Sequence, residues 1–533
     1  MLFLDIDNMN TSRRKFLKTT GLSTAFLGAG GLMNVHAEKV RPEDWEDAFP
    51  NPPKVYNRLD QGMFETLVPE DRFGQTQMLT SPTDEYVPNP AMGYQVYAYE
   101  EGGTPDIPGQ TAAEAIEKLL KLPFCDMVYM RTDWRVIQQR PGRLELPEMW
   151  QHALKLAREL GKRISFRIQL GNPGPVAAVP KFVLDKSGGT VDINNGWLQL
   201  PNYQHSEFKK YFKEMNRMLA DQYDDDPSVE CVDFAGYGAW GEWHSRGVSS
   251  FPDPLTASET LCWMIEEQLD AWKKTALVMV AHGGSSYIRL KDVMSVAMQG
   301  DCWWRRDNVG LYIKPSDAYM LTNHPSWQAN IIEDGRFRNH RLADPEKVED
   351  IPGQHIRDHL MMKAVDLNAH YWALWQHADN IIEYREKYKR GFQLLDRQLG
   401  YRLRPSWIWV DTNKEPHSLI IAIKNDGCAP PPGILRIFVS DEAQTFKAGG
   451  GLDPGMPGPA DVRICRIILP RGIKWRTSKM DYDASLLSTD YPLRLFAELE
   501  IKANRHPVRW ACAEPLNEDG SLTIRHTKGL ELF

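Results

Sequence analysis

The chain has 533 residues, 42% hydrophobic and 25% charged, and its 17 Trp, 19 Tyr and 19 Phe suffice for one barrel-sized domain and a smaller companion. A formal charge of −8, with no basic run beyond the N-terminal one, argues against a nucleic-acid partner held through its phosphates. The seven cysteines (125, 231, 262, 302, 428, 465 and 512) contain no Cys-x-x-Cys pair, so no structural zinc site is expected and most should be buried small hydrophobes.

At the N-terminus, Ser12-Arg-Arg-Lys-Phe-Leu-Lys18 precedes the weakly apolar 19–33 and a small-residue cleavage pattern at Val35-His36-Ala37. Paired arginines, an apolar segment and a cleavage site in that order predict a twin-arginine leader over 1–37. The expected route is the Tat machinery to the periplasm or exterior, without permanent membrane insertion. Residues 38–85 read as an irregular approach, and from there strand and helix patterns alternate. Strands are predicted at 89–99, 126–134, 163–170, 229–235, 276–282, 293–299 (with 310–313 competing), 329–333 and 369–377. Helices are predicted at 111–121, 147–160, 206–222, 256–273 and 352–368. A longer excursion, 171–204, suggests a functional loop.

Eight strands with interleaved helices over 86–404 predict a (β/α)₈ TIM barrel. An open doubly wound sheet is weakened by the absence of a Gly-x-Gly-x-x-Gly turn and of a P-loop. From about 405 to 533, short apolar alternations separated by Asn-Asp-Gly, Pro-Pro-Pro-Gly and Gly-Gly-Gly predict an all-β sandwich.

Strand four runs into Gly236-Tyr-Gly-Ala-Trp-Gly-Glu-Trp-His244. A carboxylate between two indoles is chemistry suited to a sugar, because aromatic faces stack on pyranose rings and desolvation lifts an acid's pKa. In a parallel barrel catalytic groups gather at the C-terminal strand ends, which brings Glu242, past strand four, towards Glu333, ending strand seven. Such a pair can hydrolyse a glycosidic bond, with retention at a carboxyl separation of about 5–5.5 Å and inversion at about 6.5–9.5 Å. A carbohydrate substrate and no cofactor or metal are therefore expected. The alternative is a carbohydrate-binding protein on a degenerate barrel.

These glutamates, with a Trp on strand eight, resemble the retaining glycoside hydrolase clan of β-galactosidases, cellulases and β-mannanases. More closely, Asn89-Pro-x-x-Gly93, Tyr129-x-Arg131-x-x-Trp134, the 236–244 loop and Lys424-Asn-Asp-Gly427 are similar to exported bacterial proteins with a β-galactosidase-like barrel and a domain of unknown function. The resemblance spans about 86–520 and implies Glu242 as acid/base and Glu333 as nucleophile. One departure is Gly241, where many clan members carry an Asn that holds the sugar's 2-hydroxyl.

Other candidates follow from position. Arg131 and Arg167 approach the mouth, to ionise the nucleophile, bind an acidic sugar or form structural ion pairs. With Arg135, Arg305 and Arg306 they concentrate positive charge that suits an anionic sugar or balances carboxylates. Trp134, Trp240, His244 and His282 are candidate substrate contacts. Trp303-Trp304-Arg305-Arg306, with Asp301, is a candidate loop wall. Trp372 and Trp375 are three apart, so at most one should floor the sugar site and the other should pack. His355 and His359 have helical spacing without a zinc-protease motif.

Overall fold

The computed structural model describes residues 60–63, 74–99, 109–245, 249–281, 290–309, 313–335, 356–473, 476–477, 487–488 and 492–525. Within them eight parallel strands close into a barrel in chain order: Gly93–Tyr99 (β1), Met127–Asp133 (β2), Arg163–Gln169 (β3), Val229–Asp233 (β4), Ala276–Val280 (β5), Trp303–Val309 (β6), Asn330–Asp334 (β7) and Tyr371–Leu374 (β8). Closure comes where β8 pairs with β1, from Tyr371 opposite Gly93 to Leu374 opposite Val96. β2, β4, β5, β7 and β8 are buried at every position, as strands covered on both faces must be.

The surrounding helices begin and end where the sequence signals them. Thr111 and Glu114 form a reciprocal capping box ahead of Ala112–Leu120. Gly161, at φ +63°, follows Glu148–Glu159, and Asp253 caps Pro254–Ala271 with its carboxylate. The excursion after β3 is partly ordered, holding a short helix at Lys181–Lys186 and a hairpin of Thr190–Ile193 with Leu198–Pro201.

Strand six departs from expectation. Residues 293–299 lie in a helix, Leu290–Gln299, whose buried Val293, Met294, Val296 and Ala297 follow helical spacing. The strand is Trp303–Val309, whose Arg305 and Asp307 point into a polar barrel interior and so break the apolar pattern that marks a buried strand. Of the competing stretch, 310–312 lies outside the described residues, as do the leader at 1–37, His282 and His355.

Two antiparallel sheets follow the barrel. One runs Asp60–Met63, Val462–Ile468, Ser418–Asn425, Leu403–Asp411, Gln75–Leu79 in spatial order, so two strands from the segment expected to be irregular form both its edges. The other runs Lys447–Gly451, Ile434–Asp441, Leu493–Ile501, Asn504–Val508. That last strand ends at Val508, and Pro507 is tolerated because the strand is an edge.

This β region contacts the barrel through residues that precede barrel strands, the face opposite the mouth. Asn89 exchanges hydrogen bonds with Arg509, Asn504 reaches the Lys274 carbonyl, and the His370 Nε2 lies 2.8 Å from the Pro430 carbonyl. Barrel-interior Tyr129, Cys231, Val278 and Tyr371 share one apolar cluster with sandwich Ile421, Leu435 and Leu495. The seven cysteines are free thiols and all but Cys262 are buried. Among the described residues no helix is long and apolar enough to cross a membrane.

Candidate active site

Alternation along the strands decides which side chains fill the barrel. In β3, Ser165 meets the Cys231 thiol and Arg167 reaches Asp233, whereas the intervening Phe166 packs outward on Trp150 and Trp272. The same rule turns Tyr97, Tyr129, Arg131, Asp233, Arg305, Asp307 and Glu333 inward, giving a charged interior beneath the mouth.

Asp233 is its hub. It accepts from Tyr129 Oη at 2.7 Å, pairs with Arg167 Nη2 at 2.7 Å and with Arg305 Nε at 2.7 Å, all nearly inaccessible to solvent. Asp307 lies 3.4 Å from Arg167 Nη2. Burial alone would raise the Asp307 carboxyl, but Arg167, Arg305, Arg131 and Arg306 outweigh it and hold it below its usual value.

Glu333 lies above this layer, 7% exposed, and accepts a 2.5 Å hydrogen bond from Tyr97 Oη. Burial, with Asp307 and Glu242 as negative neighbours, pushes its carboxyl up to about 8 from 4.5, against the opposing effects of Arg131 and Tyr97. Glu242 faces it from the loop after β4. Its side chain is 17% exposed, with Oε1 at 3.4 Å from Arg131 Nη1 and Oε2 at 3.4 Å from His244 Nε2. Arg131 stacks over the Tyr97 ring at 5.0 Å and feels the charge of both glutamates. Both glutamates thus lie in the field of one guanidinium, and in the free site burial favours the proton on Glu333, the reverse of the roles that the resemblance implies.

The Glu242 loop is tightly folded. The Ala239 amide donates to the His244 carbonyl, Trp243 to Tyr237 and Trp240 to the Gly171 carbonyl. Gly238 has φ +80°, and a Cβ there would collide with the His244 carbonyl. Trp240 and Trp243, on either side of Glu242, both have left-handed backbones, φ 54° and 60°, a conformation that costs a bulky residue about 1–3 kcal/mol. At Gly241, φ +72°, Arg167 Cδ lies 3.1 Å from where a Cβ would stand, so any side chain here meets both strain and crowding.

The aromatic candidates divide. Trp240 is half-buried, its ring 5.9 Å from the His244 ring and 6.5 Å from Trp197 of the 190–201 hairpin, so the three line the approach to Glu242. Trp375, at the end of β8, is half-buried and donates to the Asp334 carbonyl at 2.7 Å, while Trp372 is fully buried. Trp134 does not reach the site: it packs edge-on against Phe208 in the helical layer and bonds Gln138. Nor does Trp303, which begins β6 at the far end of the barrel and sits in the core with Tyr129 and Ala373; no loop wall forms there. His282 lies outside the described residues.

The arginines are paired. Arg135 binds Asp133 at 3.0 Å and Arg306 binds Asp317 at 3.2 Å, in addition to the partners of Arg131, Arg167 and Arg305 already given. Among the described residues no cluster of three His, Cys, Asp or Glu side chains could hold a metal ion. Sequence reading passed over Tyr97, Asp233 and Asp307; alternation along the predicted strand four points to Asp233, whereas Asp307 lies on the strand that was placed elsewhere.

No protein-family model matches the chain, and no curated protein matches it in sequence. Among solved structures it is similar to endo-glycoceramidase II from Rhodococcus sp. bound to a cellobiose-like imidazole, at 12% identity over 72% of this chain and 99% of that one, TM-score 0.35. It is also similar to the catalytic domain of a β-amylase from Paenibacillus polymyxa, at 9% identity over 57% and 98%, TM-score 0.37. A β-galactosidase from the psychrophilic Marinomonas ef1 matches at 12% identity over 53% and 54%, TM-score 0.35. Likenesses this distant add nothing to the closed barrel already described.

Proposed function

We propose that the chain is an exported glycoside hydrolase that cleaves a poly- or oligosaccharide with retention, using Glu242 and Glu333. The observation that carries this reading is the pair itself, two carboxyls in the field of Arg131 at the C-terminal end of a closed barrel, one half-buried beside Trp240 and His244 and one buried against Tyr97. Export by the Tat route to the periplasm or exterior rests on the leader sequence.

The two roles require one proton between two carboxyls. Setting it on Glu242, the more exposed, removes one of the negative neighbours that raise Glu333. Tyr97 and Arg131 favour the ionised form of Glu333 that attacks the anomeric carbon while Glu242 protonates the leaving oxygen. The glycosyl-enzyme ester so formed is hydrolysed by water that Glu242 deprotonates. Trp240, Trp375 and the hairpin Trp197 supply aromatic faces for the sugar.

The test is a pair of glycine variants assayed with azide. Glu242→Gly should regain activity and release a glycosyl azide of the substrate's own configuration; Glu333→Gly should yield the inverted azide. Activity in Glu242→Gln and Glu333→Gln equal to that of the wild type would sink the assignment. Exchanged azide products would reverse the two roles.

A further inference from the structure

We propose that the side-chain amide of Gln169 is a specificity-determining contact that binds an uncharged hydroxyl of the sugar ring, an inference that rests on the glycosidase reading above. Gln169 ends β3, two residues beyond Arg167 on the same inward face, opposite Asp133 on β2. Two residues further on, the Gly171 carbonyl accepts the Trp240 amide, so this strand end abuts the loop that carries Glu242.

The residue is fully buried, yet among the described residues neither its Oε1 nor its Nε2 has a hydrogen-bond partner. Each orphaned polar atom is expensive in a protein interior, and an amide carries two. Of the neighbouring polar groups, Asp133 is engaged by Arg135 and Asn172, and both terminal nitrogens of Arg167 by Asp233 and the Trp240 carbonyl. A methionine or leucine would fill the space without this penalty. An amide offers one acceptor and two N–H donors, which a hydroxyl, itself donor and acceptor, can satisfy at both ends. A carboxylate or sulfate can only accept and would leave Oε1 unmatched. Together with arginines that each already have a carboxylate partner, this commits the subsite to a neutral, hydroxylated ring.

The experiment compares wild type with Gln169→Met on 4-nitrophenyl β-glucoside, β-galactoside, β-mannoside and β-xyloside, and then on the monodeoxy forms of whichever is cleaved. One deoxy position should cost the wild type tenfold or more in kcat/KM. Gln169→Met should lose a similar factor on the parent glycoside and nothing further on that deoxy form, because the partner is already gone. Its Tm in the absence of sugar should rise. Independent, multiplicative losses at every position, an unchanged kcat/KM, or a lower Tm that reveals a bond in the free protein would each overturn the proposal. If the wild type cleaves no glycoside, the glycosidase reading fails separately, and calorimetric titration with glucose, galactose, mannose and xylose decides for Gln169. Binding at least tenfold weaker in Gln169→Met upholds it; equal affinity, or binding of none, overturns it.

Discussion

Replacing Glu333 by Gln should stabilise the protein at alkaline pH and not at acid pH. The carboxyl titrates at about 8 in the folded chain, against an ordinary 4.5, because it is buried beside Asp307 and Glu242. A folded-state pKa above the unfolded value means that the native protein binds more protons than the unfolded chain between those two values, so stability is lost as pH rises through that window. The full loss is reached above about 8. At about 1.4 kcal/mol per tenfold change in proton affinity, it amounts to about 4–5 kcal/mol. Glutamine has the shape of the protonated acid, can still accept the Tyr97 hydrogen bond and never ionises, so the variant escapes the loss.

With an unfolding entropy of roughly 2.1 cal/mol/K per residue, a difference of that size corresponds to about 4 °C in a chain this long. Thermal unfolding of the wild type and of Glu333→Gln, followed from pH 4.5 to 9, should give curves that coincide at the acid end. They should separate progressively to about 4 °C at the alkaline end, the variant higher. Groups elsewhere titrate identically in both proteins and cancel. Parallel curves, or a wild type that gains on the variant as pH rises, would refute the reasoning.

Tyr97→Phe removes the 2.5 Å hydrogen bond that favours ionised Glu333, and should raise that carboxyl further and lower kcat about 10- to 100-fold, read from the pH–rate profile. Gly238→Ala drives a Cβ into the His244 carbonyl from a left-handed backbone, and should cut activity at least tenfold through displacement of Glu242, with circular dichroism unchanged. Asp233→Asn leaves Arg167 and Arg305 short of their shared carboxylate inside the barrel, and should cost about 3–5 kcal/mol in urea denaturation.

The barrel was legible because seven of its strands carry apolar or alternating stretches at regular spacing between helical patterns, and because Gly161 and the Thr111–Glu114 box mark helix ends locally. Strand six was not, since Trp303-Trp304-Arg305-Arg306-Asp307 reads as a surface loop unless the interior it faces is known to be charged. Its neighbour, the helix at 290–299, offered the apolar run that β6 lacked. The edge strands at 60–63 and 75–79 escaped because pairing with residues more than 300 positions away leaves no local trace. Glu242 and Glu333 were visible as strand-end carboxylates. Tyr97 and Gln169 were not, because one looks like strand filler and the other like a surface amide until the barrel closes around them.

Charge balance limits what the mouth can bind. Five arginines clustered at strand ends in a net-acidic chain suggest a basic subsite, yet each has a carboxylate partner. Inside the barrel three guanidinium groups (Arg131, Arg167, Arg305) meet four carboxyls (Asp233, Asp307, Glu242, Glu333), and one proton on the glutamate pair brings the set to neutrality. An anionic sugar would have to pull Arg131 from Glu242 or another arginine from a buried aspartate, and breaking a buried pair costs about 3–5 kcal/mol, more than a new surface-exposed pair returns. A neutral ring makes no such demand. It can stack on the half-buried indoles and offer its hydroxyls to the Gln169 amide, whose atoms have no other partner among the described residues.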